Sequence, residues 1–152
     1  MTTGRHNTRT GRAAWGTTVL RIVTGIIFAA HGAMKLFSFT PAGTAAFLAQ
    51  VGIPFATLAA PIVITAELGG GLLLLAGLFT RWASLPLAAT MVVAILTVHL
   101  KAGFFLPNGY EFPLIILAST LSLALQGSGA LALDNLRGRR GTALPVEPAR
   151  AA

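Results

Sequence analysis

A chain of 152 residues that is 55% hydrophobic and only 10% charged is too apolar for an ordinary soluble domain, and its length suits one small domain. The absence of cysteine excludes disulfides, thiolate nucleophiles, cysteine-ligated zinc and iron–sulfur clusters within this chain. The net charge of +7 lies mainly in arginines that flank the apolar part, without interleaved aromatic residues, so it indicates membrane topology and not nucleic-acid binding.

Four apolar segments follow one another along the chain, and each is close to the roughly 20 residues that a helix needs to span a bilayer. They comprise residues 15–37, 54–79, 82–100 and 112 to about 131. A Gly-Ser-Gly sequence interrupts the last segment, so we expect its helix to end at Gln126 or Gly127. The sequence thus predicts an all-α membrane protein, folded as an antiparallel bundle of four transmembrane helices.

Short connections define how these segments are joined. Only Thr80 and Arg81 separate the second segment from the third, which forces an antiparallel helical hairpin. In the first connection, residues 45–49 are apolar enough to form a short helix at the membrane interface. Asn108 and Gly109, in the last connection, are typical of a turn.

The distribution of basic residues predicts the orientation in the membrane. Four crossings place both termini on one side, together with Arg81 and the terminal arginines, whereas Lys35 and Lys101 lie on the other side. Because cytoplasmic loops carry the excess of arginine and lysine, both termini are predicted to be cytoplasmic. We therefore expect a basic disordered tail at residues 1–14, a transmembrane domain at residues 15–134 and a second basic disordered tail at residues 135–152.

Glu67 is the most informative residue, because it lies in the second segment, which is otherwise uncharged. A carboxylate near the middle of a bilayer costs a few kcal/mol on insertion scales, so it needs a partner or a function. Arg21 and His31 lie on the first segment at depths that bracket Glu67, at a rise of about 1.5 Å per residue. Small residues spaced for close helix packing lie on the first helix at positions 25, 29 and 33 and on the second at 66 and 70.

Other ionisable residues gather toward the same leaflet. On an ideal helix, which turns about 100° per residue, Arg21, His31 and Lys35 share one side of the first segment. His99 and Lys101 close the third segment, Glu111 opens the fourth, and Ser122 follows on nearly the same face. We predict one polar cavity, with Glu67, His31 and His99 as catalytic residues and with Arg21, Lys35, Glu111 and Ser122 binding the substrate.

Simpler uses of these residues remain open. Lys35 and Lys101 are also consistent with lysines that extend to the lipid headgroups. Glu111 is also consistent with a carboxylate that caps its own helix. As a separate alternative, Arg21 would serve only to neutralise Glu67 in a buried structural pair.

The two histidines leave a further pair of alternatives. His31 and His99 lie on different helices near one leaflet, as a bis-His haem site or a mononuclear metal site with a carboxylate would require. The sequence has no haem-specific motif and no second histidine pair. We therefore expect neither haem nor a metal and favour a quinone as the bound cofactor.

The order and spacing of the motifs resemble those of a known family. In chain order the motifs are Arg21, His31-Gly32-x-x-Lys35, Gly52-Ile53-Pro54, Glu67-Leu68-Gly69-Gly70-Gly71, His99, Asn108-Gly109-x-Glu111 and a closing Gly127-x-Gly129 with Leu133-Asp134. This set, which covers residues 21–134, resembles the DoxX family of small bacterial inner-membrane proteins. The resemblance implies a four-helix bundle in the inner membrane. It also implies a link to redox chemistry, since the family is named for a subunit resembling a component of a thiosulfate:quinone oxidoreductase, and other members are associated with oxidative stress and thiol homeostasis.

We therefore expect a membrane redox component, an oxidoreductase subunit if it is an enzyme, that binds a quinone or a similar lipophilic carrier. Glu67 with His31 or His99 would relay protons, and Arg21 or Lys35 would hold a quinone carbonyl or an anionic substrate. The expected partners are the lipid bilayer, a redox protein that supplies electrons and further copies of this chain, but not nucleic acid. The alternative is a non-enzymatic binding or assembly subunit, or a small-molecule transporter.

Overall fold

A computed structural model describes residues 4–105 and 107–140, with side chains from 11 to 105 and from 107 to 136, and these residues form helices and short connections. The α-helices within these residues are α1 (Gly4–Ala33), α2 (Thr40–Gln50), α3 (Ala56–Ala76), α4 (Thr80–Ala94), α5 (Glu111–Gln126) and α6 (Leu133–Arg140). A π-helical turn, Met34–Ser38, extends α1. A second π-helical turn, Ile95–His99, extends α4 and leads into a single 3₁₀ turn, Leu100–Ala102.

Three of the described helices are long and apolar enough to cross a membrane: Gly11–Ser38, Ala56–Ala76 and Thr80–Ala102. The fourth apolar helix, α5, is shorter, with 16 residues. The structure therefore confirms the all-helical membrane class. A fourth crossing and cytoplasmic termini stay predictions.

Helices α1 and α3 are antiparallel, and their backbones are in direct contact where glycine removes the side chain. A Cβ atom at Gly32 would lie 2.7 Å from the Cα of Leu68, and one at Gly71 would lie 2.9 Å from the Cα of Ala29. Gly25 is similarly close to the backbone of Gly71. The small-residue face predicted on the first helix is therefore confirmed at positions 25 and 29, and it fixes the register that places residue 32 opposite residue 68.

The remaining contacts complete the bundle around α4. Gly70, one of the small residues noted on the second segment, faces α4, and a Cβ there would lie 3.0 Å from Leu87. Helix α4 also packs along α5. The buried core drawn from α1, α3, α4 and α5 consists of Phe28, Leu74, Ala83, Leu87, Ile116 and Leu123.

The hairpin between α3 and α4 turns earlier than predicted. The link is residues 77–79 and not Thr80-Arg81, because Gly77 adopts the left-handed conformation (φ +65°) that ends α3. Asp134 then accepts hydrogen bonds from the backbone N–H groups of Phe79 (2.9 Å) and Thr80 (3.2 Å), which starts α4 at that point. We call this end of the bundle the hairpin end. The opposite end, which holds residues 39–55, 100–105 and 107–110, is called the loop end.

Several local predictions can be compared with the observed elements. The helix expected at residues 45–49 is part of α2, and α5 ends at Gln126 as expected. At the predicted turn, the Gly109 N–H donates to the carbonyl of Phe105 at 3.0 Å. Residues 4–14 and 135–140, expected to be disordered, belong to α1 and α6. The outermost residues of both predicted tails, 1–3 and 141–152, lie outside the described residues.

Candidate functional site

The partner of Glu67 is Lys35, whose ammonium group donates to the Glu67 carboxylate. Glu67 is buried in α3, with 5% of its side chain exposed, and Lys35 lies just beyond the end of α1, with 22% exposed. The predicted pairing of Glu67 with Arg21 or His31 is therefore wrong. The α1–α3 register explains the correction for Arg21, because it lies opposite Leu74, about 10 Å along the helix axis from Glu67.

Arg21 instead closes the hairpin end of the bundle. Its guanidinium donates to the carbonyls of Leu75 (3.0 Å) and Ser128 (2.9 Å) and also to those of Leu74 and Leu131. The last carbonyls of a helix lack partners within the helix, and a cation near a helix C-terminus is favourable. Arg21 is 1% exposed and therefore caps α3 and attaches the segment after α5, and the prediction that it binds substrate at Glu67 is not supported by its position.

A cavity of about 200 Å³ at the loop end, the histidine cavity, brings together the three residues predicted to be catalytic. His31 comes from α1, Glu67 from α3 and His99 from the π-helical turn after α4. The other lining residues are apolar, and they are Ile27, Phe28, Met91, Ala94, Phe112, Pro113 and Ile116. Three ionisable side chains from three helices therefore face one small, otherwise apolar space.

Hydrogen bonds to the backbone fix both imidazole rings. The Nδ1 atom of His31 lies 2.8 Å from the carbonyl oxygen of Ile27, and that of His99 lies 2.8 Å from the carbonyl oxygen of Asn108. A carbonyl oxygen only accepts, so in both rings the proton is on Nδ1. The Nε2 atom of each neutral ring consequently has a free lone pair and can act as a base or as a hydrogen-bond acceptor.

The π-helical turns determine where two of the site residues lie. In a continuous α-helix, which turns about 100° per residue, His99 would lie roughly 140° around the axis from Ala94. A π-helical turn, in which residues five apart are hydrogen-bonded, brings the two onto a common face, and both line the histidine cavity. At the end of α1, Phe39 N–H bonds to Met34 at 3.0 Å, and the Lys35 carbonyl accepts a hydrogen bond from the buried Thr44 hydroxyl at 3.2 Å.

A second cavity of about 290 Å³, the apolar cavity, lies on the other side of Glu67 between α2, α3 and α4. Lys35 and Glu67 are the two charged residues that line it. Two threonines also contribute, but most of its wall is aliphatic or aromatic, and includes Phe47, Leu48, Ile62, Val63, Ala66, Pro86, Ala89, Val93 and Ala94. Because Glu67 lines both cavities, it separates a space with histidines from one without.

The structure does not bring the other predicted substrate-binding residues into either cavity. The Ser122 hydroxyl accepts a hydrogen bond from Gln126, which in turn accepts one from Thr17, so Ser122 lies toward the hairpin end. Glu111 opens α5 next to the cavity residues Phe112 and Pro113 but is not itself part of the lining, and its backbone N–H bonds to the carbonyl of Phe104. The prediction of one pocket that includes Arg21 and Ser122 is therefore wrong, because both residues lie toward the hairpin end.

Metal binding receives no support from the part of the chain that the structure describes. Within it, His, Asp and Glu side chains nowhere form a group of three or more that could hold a metal ion. Although His31, Glu67 and His99 face one cavity, they do not approach one another as ligands of a mononuclear site.

Sequence reasoning missed Lys35 as the partner of Glu67 and missed Thr44 entirely. The glycines carried a usable signal, because pairing Gly32 with Leu68 would have placed Lys35 near Glu67. The π-helical turn that exposes the Lys35 carbonyl to Thr44 has no comparable sequence signature.

Comparison with known proteins agrees with this architecture. The DoxX family model matches residues 16–100, a range that includes His31, Lys35, Glu67 and His99 but not Glu111 or Ser122. "Putative oxidoreductase CatD" of Bacillus subtilis (strain 168) is 41% identical over 119 residues, which cover 78% of this chain and 84% of that protein. "Inner membrane protein YqjF" of Escherichia coli (strain K12) is 31% identical over 131 residues, covering 82% and 94%. "Inner membrane protein YphA" of the same organism is 32% identical over 126 residues, covering 76% and 86%. No solved structure matches the chain.

Proposed function

This chain belongs to the DoxX family of multi-pass bacterial inner-membrane proteins, and we propose that it is a redox component that binds a quinone or a similar lipophilic carrier. One observation carries the proposal: His31, Glu67 and His99, from three different elements, line a single cavity whose other walls are apolar. Ionisable residues inside a membrane bundle are rare and commonly mark proton or substrate pathways.

The chemistry of a quinone fits these groups. Reduction of a quinone to its hydroquinone consumes two electrons and two protons. The two imidazole rings, each with an available Nε2, and the Glu67 carboxylate can relay these protons, because each group can first take up a proton and then pass it to a ring bound between them. In this proposal a redox partner protein supplies the electrons.

The two cavities suggest how such a carrier is held. A volume of about 200 Å³ is below the roughly 300–1,000 Å³ of pockets for drug-sized ligands, so the histidine cavity suits a single ring. The apolar cavity, on the other side of Glu67, offers a surface for the hydrocarbon chain of the carrier. Lys35, at the boundary, holds Glu67 in place through their ion pair.

We further propose that α5 is the fourth crossing and that both termini are cytoplasmic. Sixteen residues span about 24 Å as an α-helix, close to the hydrocarbon thickness of about 30 Å. Arg12 and Arg81 lie toward the hairpin end, whereas Lys35 and Lys101 lie toward the loop end. By the positive-inside rule, this asymmetry supports a cytoplasmic hairpin end. The proposed transmembrane domain remains residues 15–134.

Extraction of the purified protein tests the proposal. Wild-type protein, purified from membranes in mild detergent, is expected to release a quinone in near-stoichiometric amount when it is extracted with organic solvent. Glu67→Gln removes the ionisable oxygen between the two cavities and is expected to retain several-fold less. Glu147→Gln, an equal change in the predicted C-terminal tail, is the matched control. Quinone-free wild-type protein, or equal retention by both variants, would contradict the role given to the cavity.

The alternative function is a non-enzymatic binding or assembly subunit, or a small-molecule transporter. The observation that favours it is the Lys35–Glu67 ion pair, which accounts for the buried carboxylate without any chemistry. Protein that contains no quinone but co-purifies with one membrane partner would support this alternative.

A further inference from the structure

We infer that the histidine cavity selects the reduced, hydroxyl-bearing form of its carrier over the oxidised, carbonyl-bearing form. The inference rests on the proposed function and adds to it which redox state of the ligand the site prefers. It follows from the hydrogen-bonding roles of the polar groups that line the cavity.

The two histidines present acceptors to the cavity. Both Nδ1–H groups are already used by backbone carbonyls, of Ile27 and Asn108, at 2.8 Å each. The remaining ring nitrogen, Nε2, has no proton in the neutral tautomer that this arrangement fixes. Each ring can therefore accept a hydrogen bond from a ligand in the cavity but cannot donate one while it is neutral.

Glu67 adds a third acceptor of the same kind. An ionised carboxylate only accepts hydrogen bonds, and Glu67 already accepts one from the Lys35 ammonium group. Lys35 itself, although it is the nearest cation, lines the apolar cavity and not the histidine cavity. The seven other residues around the histidine cavity have hydrocarbon or thioether side chains, so no side chain in its lining opposes these three acceptors with a donor.

A hydroquinone and a quinone differ in their capacity to donate hydrogen bonds to these acceptors. The hydroquinone has two hydroxyl groups, and each can donate a hydrogen bond to one of the three acceptors. The quinone has only carbonyl acceptors, so it cannot pair with the acceptors that line the cavity. Because polar groups that face each other without a donor between them are unfavourable, we expect the hydroquinone to bind at least about tenfold more tightly. For a two-electron couple, a tenfold difference raises the midpoint potential of the bound carrier by about 30 mV.

The test measures the affinities of one redox pair. Full-length protein in lipid nanodiscs is titrated, without oxygen and at pH 8, with a short-chain benzoquinone and separately with its hydroquinone, and binding is followed by calorimetry. The expected result is a dissociation constant at least tenfold lower for the hydroquinone. Equal affinities, or tighter binding of the quinone, would overturn the inference and leave carrier binding intact. Binding of neither form would overturn the proposed function as well.

Histidine variants identify the acceptors. His99→Leu removes one Nε2 acceptor and is expected to weaken hydroquinone binding about tenfold while changing quinone binding less than twofold. His6→Leu, 25 residues before His31 on the same helix and so about 37 Å away along its axis, is the matched control and is expected to change neither. Equal weakening of both ligands by His99→Leu would mean that His99 only shapes the cavity. If that variant does not fold, the ratio measured with the wild-type protein still decides the inference.

Discussion

The two ends of the α1–α3 contact each hold a cation from the first membrane segment, and the two cations have different partners. At the hairpin end, Arg21 is 1% exposed and donates to four backbone carbonyls. At the loop end, Lys35 is 22% exposed and pairs with the side chain of Glu67, which lines two cavities. Arg21 is therefore held by backbone carbonyls, whereas Lys35 lines a cavity.

The difference shows that a charge within a membrane helix does not by itself mark a functional site. An ionisable residue at membrane depth is a functional candidate by default, but backbone partners that satisfy it completely favour a structural role. At the loop end, by contrast, the ion pair leaves ionisable groups facing a void in which a ligand can lie. The kind of partner and the space beside it therefore separate the two cases.

Loss of the Arg21 guanidinium is the largest effect that we expect. Arg21→Met keeps much of the aliphatic stem but leaves carbonyls of α3 and of the segment after α5 without donors. Hydrogen bonds to a charged group contribute about 1.5–3 kcal/mol each, so the free energy of unfolding should fall by at least about 3 kcal/mol. Unfolding of the protein in mixed micelles by a denaturing detergent measures this loss.

Two further variants make the Arg21 result specific. Arg12→Met, an exposed arginine on the same helix, is the control and should change stability by less than about 0.5 kcal/mol. Arg21→Lys should recover only part of the loss, because one compact ammonium group cannot reach carbonyls in several directions. A stability of Arg21→Met equal to that of Arg12→Met would remove the distinction between the two ends.

Breaking the ion pair at the loop end should cost less. Lys35→Met leaves Glu67 buried without its cation, which for a fully buried pair costs about 3–5 kcal/mol. We expect about 2 kcal/mol, because Lys35 is partly exposed and the pair is therefore not fully buried. Adding Glu67→Met should restore stability close to that of the wild type, since two apolar residues often replace a buried pair without loss.

The matched control for this pair is Lys101→Met, which removes an exposed lysine at the same end. The same unfolding assay compares all four proteins. A double variant that is less stable than Lys35→Met alone would mean that Glu67 has a stabilising partner other than Lys35. A loss for Lys35→Met as large as that for Arg21→Met would show that both cations are equally structural.

The sequence predicted the helices better than their mutual arrangement. Apolar length and composition identify a membrane segment directly, and the Gly-Ser-Gly sequence identified the end of α5. The sequence predicted the hairpin a few residues too far toward the C-terminus. Its position depends on hydrogen bonds from Phe79 and Thr80 to Asp134, which is more than 50 residues away in sequence. Contacts of such long range leave no local pattern in a single sequence.

The candidate site was predicted in part for the same reason. Polarity alone identified His31, Glu67 and His99, and the structure places them around one cavity. The partner of Glu67 depends on the register between two helices, and an estimate of depth from each helix end indicated Arg21 or His31. Glycine contacts fix this register, and the spacing of small residues along each helix was recognised without the pairing of Gly32 with Leu68 between the helices.

The smallest effect that we expect concerns the hydrogen bond that holds the Lys35 backbone. Thr44, which is 3% exposed on α2, donates its hydroxyl to the Lys35 carbonyl at 3.2 Å. Thr44→Val keeps the shape and removes this bond, so unfolding should become easier by about 1 kcal/mol. Thr57→Val, at an exposed position of α3, is the control and should have almost no effect.

The same variant also separates positioning from stability at the loop end. If Thr44 positions Lys35, then Thr44→Val should weaken the Lys35–Glu67 coupling, and a subsequent Lys35→Met change should cost less in the Thr44→Val background than in the wild type. Additive losses would mean that Thr44 only attaches α2 to α1. The hairpin end offers no equivalent of this dependence, because Arg21 bonds to carbonyls of the helix and loop that it closes and not to a second ionisable side chain. Non-additivity confined to the loop end would therefore be direct evidence that the two cations are held for different purposes.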